Sequence, residues 1–426
     1  MEDAGGVYDV AVIGAGITGL TSAYYIKKND QSLRVIVIDR ARSFAQGNTG
    51  RATAGFRDLF SSGINFNLSN SSISFYRSIQ DGSNYDMGMK FVGYMFLLNE
   101  DDSRLDVLDE VRRKTKVRVL GRDELEGIRG LSLEMPGEES SLLGIKPAVS
   151  AYIGENCGIF EPDLVAGFYF DELRKMGVEF LFNTDVKKLI LTPREPLDYP
   201  GEPFLWQDKK IGGLDISRGE IRADFYVIAT DVWTDFLLGP VGIDSHMRPR
   251  KRQVFQIGGP HVEAMLTEFS INNTGIFPFT VLPYYGVHFR PAPKEKQMRV
   301  SAPDYIGRNF SLEEYPEAEK SYYEYSIKPV LQSYFPSLGD ARIKGMWAGY
   351  YSYNTLDAHP FIFRDMNIIV ATGTSGSGLM KGDAIGRIVA STYSGKERTE
   401  LFNGHEIENS NLGVVKREVP RERFVL

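Results

Sequence analysis

The stretch Tyr8-Asp9-Val10-Ala11-Val12-Ile13-Gly14-Ala15-Gly16-Ile17-Thr18-Gly19 decides how the rest of the chain is organised. Its apolar half has the length of a short buried strand, its glycines break that strand, and Ile17 and Thr18 open a helix-like run. Strand, glycine turn and helix in this order make a dinucleotide-binding fingerprint. The glycines serve different purposes. Gly14 closes the tight turn, Gly16 lets the backbone approach a pyrophosphate, and Gly19 lets the helix lie close on its strand. The phosphates then meet a helix N-terminus. There, free N–H groups and roughly half a unit of positive charge favour an anion without any basic side chain.

A second apolar run, Val35-Ile36-Val37-Ile38, ends in Asp39, where this arrangement has the acid that accepts hydrogen bonds from a ribose 2′-hydroxyl. A carboxylate there repels a 2′-phosphate, so an NADP-type nucleotide is disfavoured. Arg40 follows, and the chain then enters Gly47-Asn48-Thr49-Gly50-Arg51-Ala52-Thr53-Ala54-Gly55, too rich in small residues for a regular element. It reads as a loop whose backbone comes close to a ligand.

At 426 residues the chain is long for one core and suggests two or three domains. Its net charge of −7 argues against a nucleic-acid partner, which needs a basic face. The one cysteine, Cys157, cannot form an internal disulfide and reads as a packing residue. No apolar run spans a bilayer, and Met1-Glu2-Asp3-Ala4 has no signal-peptide character. The expected location is the cytoplasm, with peripheral attachment to the inner face of a membrane left open. No metal site is expected, and the oligomeric state, including a homo-oligomer, is also open.

Farther along, helices are expected over 67–83, 164–176 (with Pro162 and Asp163 as start signals) and 379–393, and one over 313–334 interrupted at Pro329. Buried strands are expected over 225–229 and 367–371. The first ends at Ala229 and Thr230 and leads to Trp233, and the second enters Gly373-Thr374-Ser375-Gly376-Ser377-Gly378. Strands of another style fall at 91–98, 253–258, 280–282, 287–290 and 298–301. Residues 193–208, with four prolines, form an excursion or hairpin. The apolar end Phe424-Val425-Leu426 is expected to dock on the protein.

Two glycine loops at opposite ends of the chain, with mixed strands between them, resemble the D-amino-acid oxidase and sarcosine oxidase (DAO) superfamily of FAD enzymes. The resemblance is carried by the fingerprint through Asp39, residues 50–57, Val227-Ile228-Ala229-Thr230 with Trp233, and Gly349-Tyr350-Tyr351-Ser352-Tyr353 followed by 373–378. Within the superfamily it looks most like the archaeal dye-linked L-proline dehydrogenases. It implies an α/β fold: a Rossmann-like FAD-binding domain (1–75, 151–246 and 345–426) and an inserted α+β substrate domain (76–150 and 247–344) on a mixed, largely antiparallel sheet.

It also implies that the first βαβ unit holds the ADP half of FAD, with Val186 offering backbone groups to adenine. Residues 50–53 and Gly349 would pass the flavin ring, and Ser375, Gly376, Ser377, Gly378, Leu379 and Met380 would lie beside it. Independent physics agrees with the last placement, because the helix starting near Leu379 would aim its N–H groups at the negative charge of reduced flavin. No histidine or cysteine stands where relatives attach FAD, so the cofactor is expected to be non-covalent. A lysine that helps bind the substrate carboxylate in sarcosine oxidase aligns with Met380, with Lys381 one step on.

Flavin oxidation of an amine or amino acid needs a cation for the carboxylate, an apolar wall that holds the Cα–H over flavin N5, and a deprotonated amine. Arg57 is the first choice for the cation, since a planar guanidinium grips a carboxylate through two parallel bonds; Arg290 is the second. Tyr351 and Tyr353 would supply the wall, and His288 could instead take the proton. The expected reaction is hydride transfer from Cα to flavin, leaving an imine, with L-proline or a sarcosine-like amine as substrate. Arg299 falls near the place of the oxygen-activating lysine of sarcosine oxidases, which favours a dehydrogenase that passes electrons to a quinone or carrier protein. Two alternatives are an FAD-dependent 2-hydroxy-acid dehydrogenase, which would need His288 or His359 as base, and a flavin-binding subunit or assembly factor without turnover.

Overall fold

In the computed structural model, which describes residues 7–135, 138–267, 269–307, 309–415 and 417–424, the opening stretch forms the strand Val7–Ile13 and the helix Ile17–Asn29. Val10, Ala11 and Val12 are all fully buried. Such a run fits a strand inside a parallel sheet, whose two faces are both covered. Val7–Ile13 pairs in parallel with Val35–Ile38 on one side and Gly219–Ile228 on the other. Glu179–Leu181 extends one edge, and Ile368–Thr372 followed by antiparallel Phe361–Asp365 extends the other. The two ends of the chain therefore meet in one sheet. Helix Gly378–Tyr393 lies against Ile17–Asn29, and Ile385, Ile388 and Val389 share a core with Leu20 and Ala23.

The second sheet has the order Arg342–Asn354, Met247–Gly258, Gln297–Pro303, His288–Ala292, Phe279–Val281, Tyr94–Leu98, Ser150–Gly154, Val117–Leu120. All neighbours are antiparallel except Phe279–Val281 with Tyr94–Leu98. This is the mixed, largely antiparallel sheet of the expected α/β fold. As sheets, however, the chain divides away from residues 150 and 345: both Ser150–Gly154 and Arg342–Asn354 run in the second.

Most expected elements are present within a few residues, among them Gly63–Gly82, Pro162–Lys175 and Gly378–Tyr393. Residues 193–208 join the antiparallel strands Val186–Pro193 and Lys209–Ile216 as a hairpin loop. The helix expected over 313–334 is corrected. It begins only at Lys320, passes through a π turn over Tyr323–Ile327, and resumes as Lys328–Tyr334 with Pro329 in its first turn. Pro316 keeps Tyr315 out of helical conformation, so residues 313–315 instead edge the cavity described below. Phe424 is buried with its ring 4.4 Å from that of Phe96, whereas Val425 and Leu426 lie outside the described residues. Cys157 is a free, buried thiol that donates to Asp58 Oδ1 at 3.7 Å.

Candidate active site

A cavity of about 530 Å³ runs from Thr184 and Val186, past the first glycine loop and residues 46–54, to Tyr351 and Lys381. Its walls are drawn from both sheets and from both ends of the chain. At the glycine loop, Gly14 has φ 108°, and a Cβ there would overlap the carbonyl oxygen of Ala229. A Cβ on Gly19 would overlap the carbonyl of Gly14. Only glycine at these positions lets the turn and the helix after it pack so closely on their neighbours. Asp39 accepts from Ala15 N at 2.6 Å and Ala41 N at 2.7 Å. A carboxylate has about four acceptor positions, so capacity remains for a ribose hydroxyl. The guanidinium of Arg40 lies 4.1 Å over the ring of Trp233.

The loop of residues 46–54 is pinned from several sides. Asn48 Nδ2 donates to Asp231 Oδ2 at 2.6 Å, Asn48 Oδ1 accepts from Tyr350 N at 2.8 Å, and Trp347 Nε1 donates to the carbonyl of Arg51 at 2.9 Å. Asp231 sits at φ 52°, and burial pushes its pKa up against the hydrogen bond from Asn48. At the far end the ring of Tyr351 occupies the space over Gly376 that any side chain would fill. Asn354 N donates to Ser375 Oγ at 3.0 Å and Ser375 N to the carbonyl of Ser352 at 2.9 Å, which fixes the second glycine loop to the second sheet.

The cavity is lined by Gly14, Gly16, Ile17, Thr18, Asp39, Arg40, Arg51, Ala52, Thr53, Val186, Ala229, Thr230, Trp233, Gly349, Ser375, Gly376, Ser377, Gly378, Leu379 and Met380. Of the residues predicted to hold the cofactor, Gly19, Gly50 and Gly373 stand behind this lining and shape the turns. A glycine loop and helix N-terminus at one end and a second glycine loop leading into Gly378–Tyr393 at the other fit a dinucleotide carrying a ring system.

Arg57, Tyr351 and His288 line the same cavity. The buried guanidinium of Arg57 donates to the carbonyls of Leu59 and, at 2.6 Å, of Phe424, and lies 4.2 Å over the ring of Phe60. Burial holds His288 down to about 4, so its ring is neutral near pH 7. Its Nδ1 bonds the carbonyl of Gly286 at 2.9 Å.

Three residues singled out from the sequence are placed elsewhere. Arg290 is fully buried outside the cavity lining, donating to the carbonyls of Ala54 at 3.2 Å and Phe160 at 3.1 Å and to Glu161 Oε1 at 3.0 Å. It is a structural pin from the second sheet to the loops at Ala54 and Phe160–Glu161, and is not placed to meet a substrate. Tyr353 also lies off the cavity, beneath Arg250 at 4.2 Å. Arg299 is turned away as well, 3.8 Å from Glu161 and over Trp347.

Sequence reading passed over Asn65 and Arg252 and gave Lys381 no role beyond standing one step past the aligned Met380; all three line the cavity. Lys381 Nζ donates to Asn65 Oδ1 at 2.7 Å and Ser377 Oγ at 2.6 Å. Burial pulls its pKa down to about 7, with Glu422 opposing and Arg57 reinforcing the shift. The available signal was the spacing of Ser377 and Lys381, one turn apart on one helix face. Glu422, from the C-terminal tail, accepts from Ser61 N and Oγ, Ser62 N, Asn65 Nδ2 and Phe424 N.

Comparison with known proteins agrees with this geometry. The chain is 25% identical over 425 residues to FAD-dependent oxidoreductase domain-containing protein 1 of Xenopus laevis, covering 90% of this chain and 78% of that one. It is 21% identical to glycine oxidase of Bacillus subtilis, over 92% of this chain and 94% of that one. The structure of L-proline dehydrogenase from P. horikoshii superposes with a TM-score of 0.71 at 21% identity, covering 92% of this chain and 95% of that one. The model of the family described as "FAD dependent oxidoreductase" (DAO) matches residues 9–392; the chain belongs to this family, and its cofactor is FAD.

Proposed function

We propose that the protein is a dehydrogenase that oxidises an amino acid or secondary amine of the L-proline or sarcosine type at the carbon beside nitrogen, giving an imine. The observation that carries this reading is the convergence of Arg57 and Lys381 beside Tyr351 at one end of the cavity. Neither cation has a carboxylate within 4 Å among the described residues, and a substrate carboxylate would complete both. Glycine oxidase and L-proline dehydrogenase, both similar to this chain, point to the same substrate class.

Bound FAD, held non-covalently, would supply the acceptor for the two electrons. The chain's own residues have separable roles. Arg57 and Lys381 would fix the carboxylate, and the rings of Tyr351, Phe60 and Tyr94 would exclude water from the reacting carbon. Two nearby cations and an apolar wall also lower the pKa of a bound ammonium, which favours the neutral amine. His288, already neutral, cannot take a proton efficiently at its depressed pKa, so the amine would lose its proton to solvent before the C–H bond breaks. On this reading the parallel sheet and both glycine loops hold FAD, and the second sheet encloses the substrate.

The hydroxy-acid alternative lacks a usable base. His359 lies outside the cavity lining, with Nδ1 on Asp357 at 3.0 Å and Nε2 on Ser62 Oγ at 2.7 Å. Electrons would pass to a quinone or carrier protein instead of oxygen. Among the described residues no helix is long and apolar enough to cross a membrane; the cytoplasm, or the inner face of a membrane, is the proposed location. The test is an anaerobic spectrum of the yellow holoprotein with L-proline, sarcosine, glycine and 2-hydroxyglutarate in turn. Bleaching by an amine supports the reading; bleaching by 2-hydroxyglutarate alone, or by nothing in a broad panel, refutes it.

A further inference from the structure

A third cation stands with Arg57 and Lys381 at the Tyr351 end of the cavity. Arg252, on Met247–Gly258, is buried. Its guanidinium lies 4.7 Å over the ring of Tyr351 and 5.2 Å over that of Tyr305. It donates to neutral groups: the carbonyl of Lys251 at 2.9 Å and the phenol of Tyr305 at 3.0 Å. No carboxylate of the described residues lies within 4 Å of it. An unpaired buried guanidinium is costly unless something charged completes it.

Arg57 and Arg252 stand at opposite ends of a three-ring floor. Arg57 lies 5.8 Å over Tyr94, Tyr94 stacks on Phe279 at 4.1 Å, and Phe279 stacks on His288 at 5.5 Å. Arg252 is close enough to His288 to oppose its protonation. All five residues line the cavity. Glu422, already taken up by the Ser61–Ser62 turn, is the carboxylate whose field reaches both Lys381 and Arg57. Its single charge offsets one of the three cations, which leaves two for a ligand. A substrate with one carboxylate needs only the Arg57–Lys381 end.

We infer that the substrate carries two carboxylates: an amine or amino acid whose α-carboxylate meets Arg57 and Lys381 and whose second carboxylate, several atoms away across the ring floor, meets Arg252. This class comprises iminodicarboxylates and N-substituted acidic amino acids. The inference deepens the amine-oxidation reading and rests on it for the chemistry, but not for the binding preference. Arg252 is here a specificity residue.

The test is calorimetric titration of the holoprotein with glutarate and with butyrate, neither of which carries an oxidisable amine. Glutarate should bind about tenfold or more tightly, the ratio one charge-assisted hydrogen-bonded pair supplies. In Arg252→Gln that ratio should collapse toward one, and in Arg252→Lys, the variant that keeps the charge, it should be partly retained. Equal affinities in the wild type, or a ratio unchanged in Arg252→Gln, overturn the inference. Anaerobic flavin bleaching separates the two readings. If L-proline or sarcosine bleaches as fast as iminodiacetate at equal concentration, the dicarboxylate preference fails while amine oxidation stands. Tight glutarate binding without bleaching by any amine keeps the preference and removes amine oxidation.

Discussion

Lys381 holds its proton weakly because it is buried among neutral partners, and this has two consequences with opposite signs. For ligand binding, the charged form is needed: affinity for a carboxylate ligand should fall above pH about 7, by up to tenfold per pH unit, until the pKa of the complex is reached. Titration across pH 6–9 measures this slope, and Lys381→Met should flatten it. For stability, the folded-state pKa lies below the unfolded one, so the unfolded chain binds more protons between them. The cost of burying the charge is therefore full below about pH 7 and relieved as pH rises. Lys381→Met should raise Tm more at pH 6 than at pH 10, read by thermal melts at both. Individual side chains were the least legible part of the sequence. A lysine on an amphipathic helix ordinarily faces water, and only the packing of Gly63–Gly82 over Gly378–Tyr393 shows that this one does not. Arg290 misled in the opposite direction: its strand was correctly read, but its partners are carbonyls of loops far away in sequence.

The same logic acts on whole segments, and the C-terminal tail is the clearest instance. Arg417 grips Asp357 through Nε to Oδ2 at 2.6 Å and Nη2 to Oδ1 at 2.8 Å. Glu422 is anchored by the turn before Gly63–Gly82. Burial works against both carboxylates, yet the bonds from Arg417 to Asp357, and those from Ser61 and Ser62 to Glu422, dominate. Asp357 is held well below the ordinary carboxylate range and Glu422 at about 2. Their contribution is present above pH about 4 and is lost as pH falls through the folded values. Arg417→Ala should cost about 3 kcal/mol, the usual penalty for stranding one member of a buried pair, with the deficit shrinking in acid; urea melts at pH 7 and pH 3 check both parts. Strand, glycine-turn and helix units were easy to recognise because each is specified locally, by periodicity and glycine placement. The segment 313–319 was not, because charged residues suggest a helix while Pro316 forbids its start.

Over the whole molecule, one cavity is walled by both sheets and both ends of the chain, so FAD should act as a cross-brace. A ligand at about 100 times its Kd stabilises the folded state by about 2.7 kcal/mol. Apoprotein made by acid release of FAD should melt lower, and Tm should climb with the logarithm of added FAD. Gly14→Val, at a position with φ 108° and no room for a Cβ, should abolish that climb. Overall architecture was readable from the two glycine loops alone, since parallel strands with covered faces leave few other arrangements. The exact seam between the sheets was not, because Arg342–Asn354 begins beside one body of the protein and ends against the other.

The carbonyl of Phe424 occupies a donor of Arg57, and an arriving carboxylate competes for that donor. The C-terminal stretch around Phe424 is thereby wired to the occupancy of the pocket. Deuterium uptake at the amides of Glu422, Arg423 and Phe424, which bond the Asp357 carbonyl, Ser61 Oγ and Glu422 Oε1, should change when glutarate is added, making those peptides a built-in reporter for screening ligands without any assay of turnover.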